Sequence, residues 1–464
     1  MSNYYIDDNF IIEVKKNPEK LSNFLKNESN NGKRIFLLKK IGRLNNSFDK
    51  KPLLDLLTDQ NDQIRYLAVK NLAKLSDKSL LDSFYYLAVN DDSSMVRREA
   101  VSGIGRLRNE TSISYLIKLL NDHDPKVVVQ AIRGLVVFKN RQDVKHELLK
   151  LKDHPNEMIR GFINEETGNK DFSKDKDHPL CNPLLKNVIV LGDVLECVRY
   201  VPDNSIHLTF TSPPYYNARD YSIYTCYEEY LNFLNAVFTE VYRITKEGHF
   251  FILNTSPIII PRISRSHSSK RYPIPYDIHG YLMKMGWEFI DDIVWVKPEA
   301  SVKNRNAGFL QHRKPLAYKP NAVTEMLMVY RKNTGKLIDW NIHQYDNEIV
   351  NSSKVTGDYE TTNVWRIDPT FDKVHSAVFP MEVCDRVIKF YSMIGDLIFD
   401  PFAGSGTLGK SAYKLNRNFF LTEIDETYFN TMKNDFENIS LHNKNRKQGF
   451  FYLNTDEFKR RMSK

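Results

Sequence analysis

Two short stretches of this 464-residue chain place side chains where they could do chemistry. The first is Thr211-Ser212-Pro213-Pro214-Tyr215, a hydroxyl beside two consecutive prolines that hold the backbone in an extended course. An amine conjugated to a ring is a poor nucleophile because its lone pair is delocalised. Two acceptors that draw both its hydrogens aside free that pair, and Ser212 Oγ and the stiffened Pro213 carbonyl are two such acceptors. Tyr215 adds a face on which a planar ring can stack. The second stretch is Asp400-Pro401-Phe402-Ala403-Gly404-Ser405-Gly406-Thr407, a turn of small residues whose glycines let backbone approach a ligand closely. Glu423 follows nineteen residues after Gly404, the spacing at which an acid at a strand tip accepts the hydroxyls of a ribose.

These groups work only if strands aim them. Residues 206–210 and 397–399 are short apolar runs that read as strands, each ending at one of the two stretches, and ligands of parallel α/β sheets bind at such carboxyl ends. Residues 407–415 read as a helix and 419–421 as the next strand, completing a βαβ unit around Gly404. Residues 188–191 form another strand, closed by Gly192-Asp193. Phe379-Pro380 opens a helix over 381–392, proline being suited to a helix start. Residues 295–298 and 325–330 read as a strand end and a strand.

The two motifs, in this order, resemble those of permuted amino-methyltransferases of DNA, over about residues 187–440. That resemblance implies a Rossmann-like sheet binding S-adenosylmethionine and methylating the exocyclic amine of cytosine or adenine in a flipped-out base. It assigns Ser212, Pro213, Pro214 and Tyr215 to catalysis. It assigns Asp193, Phe379, Pro380, Asp400, Phe402, Gly404, Ser405, Gly406, Thr407 and Glu423 to the cofactor: Asp400 near the methionine amine, Asp193 on the adenine amine. Family members with serine at the first loop position mostly methylate cytosine N4, and those with aspartate or asparagine mostly adenine N6. No cysteine follows a proline, so the Pro-Cys nucleophile of covalent ring-carbon methylation is lacking and direct transfer remains. RNA- and protein-modifying relatives usually carry Asn-Pro-Pro-Tyr after the cofactor motif, the reverse of the order here.

Length and 41% hydrophobic residues allow two or three domains, each with a core. No run reaches the roughly twenty apolar residues of a membrane span, and the first residues lack the pattern of a secretory signal, so a bacterial-type cytoplasmic protein is expected. Cys181, Cys197, Cys226 and Cys384 are scattered, which predicts neither a metal site nor a disulfide framework. The net charge is +8, about +6 of it within residues 1–170. In the remainder, Arg262, Arg265, Lys270 and Arg271, then Lys303, Arg305, Arg313, Lys314 and Lys319, form two basic stretches interleaved with aromatics, which suit double-stranded DNA. Residues 331–365 fall where permuted members place target recognition.

Upstream of residue 167 the chain repeats itself every 31 to 32 residues. Ile64, Ala68, Leu72 and Leu75 recur as Val96, Ala100, Ile104 and Leu107, then as Val127, Ala131, Leu135 and Phe138, one helical face each. A second apolar segment precedes each. Pairs this short must stack to share a core, so residues 1–166 are expected to form an all-α, HEAT-like solenoid, with 33–44 a degenerate first copy and 159–166 a truncated last one. Arg65, Arg97 and Arg160 follow the marker position; pairing with acids of the next unit is favoured over a phosphate-binding face. The expected division is then a linker at 167–186, a methyltransferase domain at 187–445 and a tail at 446–464. The repeats would bind DNA or a protein, and the enzyme would serve a cognate restriction endonuclease or act alone. A HEAT-type scaffold that only binds nucleic acid is the reading of another class.

Overall fold

Capping residues and apolar spacing set where the amino-terminal helices begin and which face they bury. The computed structural model describes residues 6–45, 48–167, 177–216, 224–260, 266, 270–301, 315, 322–370, 379–442 and 449–463, in two units, Met1–Asn169 and Lys170–Lys464. In the first unit the Asn61 side chain accepts from the amides of Gln63 and Ile64, starting helix Asp62–Leu72, and Asp124 caps Pro125–Val136 in the same way. The repeated positions from Ile64 to Leu135 are buried in one continuous core, with Phe138 half-buried against it. Arg65 forms two bonds to Asp91 (2.7 and 2.8 Å), and Arg97 two to Asp122 (2.9 and 3.2 Å). Arg160 donates to the carbonyls of His154 and Pro155. The marker arginines therefore tie the chain to itself. Helices Asp8–Lys16 and Pro18–Asn27 extend the array beyond the repeat seen in sequence, burying Ile11, Val14, Leu21 and Leu25.

The second unit is built on strands β1 (Val188–Leu191), β2 (Ile206–Thr211), β3 (Thr245–Thr255), β4 (Ile258–Ile260), β5 (Lys270–Tyr272), β6 (Trp287–Val296), β7 (Thr324–Lys332), β8 (Val364–Arg366), β9 (Leu397–Asp400), β10 (Asn418–Glu423) and β11 (Phe451–Asn454). Nine form one sheet in the order β11-β1-β10-β9-β2-β3-β7-β6-β8, in which only β7 runs antiparallel to its neighbours; β4 and β5 form a separate ribbon. Alternate residues of each strand feed opposite cores. Val188 and Val190 join one with Leu397 and Phe399, while Ile189 joins the other with Ile398. Helix Tyr227–Ile244 covers the first face and Met381–Tyr391 the second, which is the expected Rossmann-like α/β arrangement. From β2 the chain continues outward to β3, and from β9 it continues the other way to β10. The strand order thus reverses between β2 and β9, and the crevice above that point is where such sheets bind ligands.

Two expected boundaries move. The end of the span read as linker is docked: Leu185 is fully buried, and Lys246 Nζ donates to the carbonyls of Asp177, His178 and Leu180. The span read as a tail completes the sheet, since β11 pairs with β1 and helix Thr455–Met462 buries Phe458 beneath it. Within 331–365, helices Ile338–Gln344 and Asn347–Ser352 sit at the far end of the sheet from the Ser212 loop. Asn341 donates to the Glu247 carbonyl near the start of β3, and Tyr345 to Asp396 just before β9. Polar side chains of these helices thus satisfy groups at the amino ends of the strands.

Candidate active site

Thr211, the last residue of β2, is buried, and its hydroxyl donates to Asp400 Oδ1 at 2.6 Å across the boundary with β9. That bond locks together the starts of the two motifs. Beyond it opens a cavity of about 560 Å³ lined by Ser212, Pro213, Pro214 and Tyr215 from one side and by Asp400 to Ser405 from the other. Asp193, Thr407, Phe379 and Glu423 also line it. Residues nearly two hundred apart in sequence therefore face one space. The Ser212 hydroxyl has no hydrogen-bond partner among the described residues.

The acids are positioned by backbone. Gly404 N donates to Glu423 Oε2 at 2.7 Å and Asp425 N to Oε1 at 2.9 Å, leaving each oxygen a lone pair for the cavity. Burial raises the Glu423 carboxyl above its ordinary value, against those two amides. Asp400 accepts from Thr211 and from Phe402 N through Oδ1 alone, so Oδ2 is an open acceptor beside the cavity. Burial lifts its pKa to about 7. Asp193 spends Oδ1 on capping, accepting from the amides of Leu195 and Glu196. Phe379 stacks on Phe210 of β2 at 4.6 Å.

Two expected cofactor residues support the wall from behind. Pro380 caps helix Met381–Tyr391, and Gly406, at φ 73°, backs onto Met432, where a Cβ would come to 2.8 Å of the side chain. Neither lines the cavity. Tyr224, Phe233, Ile424, Asp425 and Tyr428 do, although no motif marks them. Only Ile424 carried a signal, an apolar residue set among acids directly after a strand-tip glutamate.

Of the basic residues, Lys270 and Arg271 stand exposed on β5, while Arg262, Arg265, Lys303, Arg305, Arg313, Lys314 and Lys319 lie outside the described residues. Tyr272 of β5 packs against Tyr216, next to the Ser212 to Tyr215 loop, with ring centres 4.9 Å apart. The ribbon is thus anchored at the same end as the cavity.

Residues 206–434 match the DNA methylase family. The chain is 32% identical over 247 residues to the type II methyltransferase M.ScaI of Streptomyces caespitosus, covering 51% of this chain and 77% of that one. The chain belongs to the DNA methylase family. Over 252 residues, 52% of its length, it is also 28% identical to the type II beta methyltransferase M.BslI of Bacillus sp. (strain NEB-606), but spans only 26% of that protein. The crystal structure of TTHA0409, a putative DNA modification methylase from Thermus thermophilus complexed with S-adenosyl-L-methionine, aligns over 58% of this chain and 98% of its own, with a TM-score of 0.45 and 22% identity. Residues 50–162 match HEAT repeats. The cavity fits the family's cofactor, S-adenosylmethionine: buried acceptors face it at Asp400 and Glu423, and Gly404 takes a positive φ of 52° that brings its amide onto Glu423.

Proposed function

We propose that the methylase transfers a methyl group to the exocyclic N4 amine of cytosine, flipped out of double-stranded DNA, without a covalent intermediate. The observation that carries this reading is the single cavity shared by the Ser212 loop and the Gly404 turn, with Thr211 and Asp400 bonded at its base. When bound, S-adenosylmethionine supplies an electrophilic sulfonium methyl. Asp400 Oδ2 would hold its ammonium, Glu423 the ribose hydroxyls and the remaining oxygen of Asp193 the adenine amine, with Phe379, Phe402 and Ile424 as apolar walls. Ser212 Oγ and the Pro213 carbonyl accept the two hydrogens of the cytosine amine, and Tyr215 stacks on the ring. With both hydrogens so held, the amine lone pair would be free to take the methyl that the bound cofactor would supply, the sulfonium leaving as a neutral sulfide and one amine proton passing to water. Lys270 and Arg271 would hold phosphates beside the opened base.

Serine at position 212 favours cytosine. The test is methylation of mixed-sequence DNA with labelled cofactor, followed by digestion to nucleosides. N4-methylcytosine is expected, and N6-methyladenine alone would replace the substrate assignment. Ser212→Ala should lower transfer by about 10²-fold or more while cofactor binding persists. Equal rates in the two proteins would remove the acceptor role.

A further inference from the structure

Unlike Arg65 and Arg97, a second set of basic side chains in the repeat unit has little to answer it. Arg43, Lys74, Arg106, Arg108 and Arg133 line a concave cavity of about 670 Å³ whose lining contains no acid. Arg43, Arg108 and Arg133 are exposed, and their side chains make no hydrogen bond or ion pair among the described residues. Lys74 donates to Asn71 Oδ1 and the Gly42 carbonyl, and Arg106 meets Glu99 at 3.7 Å. Burial, then the nearby charges of Lys70 and Arg106, push the Lys74 amine below its ordinary value. A cluster of like charge in a concavity raises the local potential and attracts a polyanion.

The arrangement is also periodic. Arg43, Lys74 and Arg106 stand 31 and 32 residues apart, so successive repeats each contribute one cation at the equivalent place. At the floor, helices Ser94–Arg106 and Pro125–Val136 approach so closely that a Cβ on Gly105 would lie 3.1 Å from Gly134 Cα. We infer that this groove is a second DNA site, holding phosphates of duplex DNA by charge and without reading sequence. A regular row of cations matches a regularly charged rod, and a family that acts on DNA brings that polyanion to the protein. The inference rests on duplex DNA being the substrate, as proposed above.

The test uses the full chain and a duplex of about 40 base pairs, with affinity measured by anisotropy across a salt series. Arg43→Gln, Arg106→Gln and Arg133→Gln combined should weaken binding at least tenfold and flatten the salt slope by about 2 to 3. The triple Arg→Lys variant should bind like wild type. Arg108→Glu alone gives a second reading if the combined variant melts early. Folded variants with wild-type affinity and slope would overturn the site. A wild type that binds duplex without methylating it sinks the transfer reading alone; one that methylates while the variants bind unchanged sinks the groove alone.

Discussion

Asp400 holds its proton to a pH near neutrality because it is buried, while the role proposed for it requires a carboxylate facing an ammonium. Cofactor binding should therefore release a proton below about pH 7, and affinity should rise as pH increases from 6 to 8. Calorimetry in buffers of different ionisation heat would measure that release, and Asp400→Asn should abolish it and weaken binding. A pH-independent affinity in wild type would remove Asp400 from the ammonium site. Without cofactor the linkage has the opposite sense. A carboxyl whose folded pKa lies above its unfolded value favours folding below about pH 4 and loses that contribution as pH rises through about 7, and Asp396, buried at the other end of β9, does the same. At this scale much of the site was legible in sequence, because prolines, glycines and a strand-tip acid have few other uses when they occur in register. Thr211 was not legible as a tie to Asp400, and Tyr224 had no spacing to mark it; both depend on which strands become neighbours.

Among the elements, long periodic helices and the strands beside the motifs could be read directly, since burial imposes a period on sequence. The closing strand could not. β11 is four residues long, with an exposed Phe451 and only half-buried neighbours, so its pattern does not differ from that of a polar tail. Its place is instead recorded at Gly192, where a Cβ would fall 2.1 Å from Thr455 Oγ1. Gly192→Ala should lower stability by about 1–3 kcal/mol in denaturant unfolding, and Thr455→Ala in the same chain should restore most of it. Additive losses would mean that the two positions do not meet. The docked segment from Asp177 to Leu185 was hidden for a similar reason: its polar sequence is satisfied by Lys246 and buried side chains supplied from far along the chain.

At the scale of the whole molecule, each hydrophobic cluster among the described residues lies inside a single unit, one in the repeats and two on the faces of the sheet. Scanning calorimetry is expected to resolve two transitions, of which S-adenosylmethionine raises only that of the catalytic unit. At a hundredfold excess over Kd the shift corresponds to about 2.7 kcal/mol. A cofactor that raised both transitions equally would mean that the units unfold as one. The division into repeats and α/β sheet was readable from the change of period near residue 167, whereas the cationic groove was not, because its members come from different helices and only stacking gathers them.

The pairing of β1 with β10 and β11 bears on how a ribosome delivers this chain. The helical array relies on neighbours in sequence and can consolidate as it emerges. β1 cannot: both its partners are synthesised only after Asn418, so an apolar strand stays without its ladder through most of translation of the catalytic half. Nascent chains stalled before Asn418 should carry a finished amino-terminal unit followed by a segment that binds chaperones, and emergence of the residues through Asn454 should end that vulnerability.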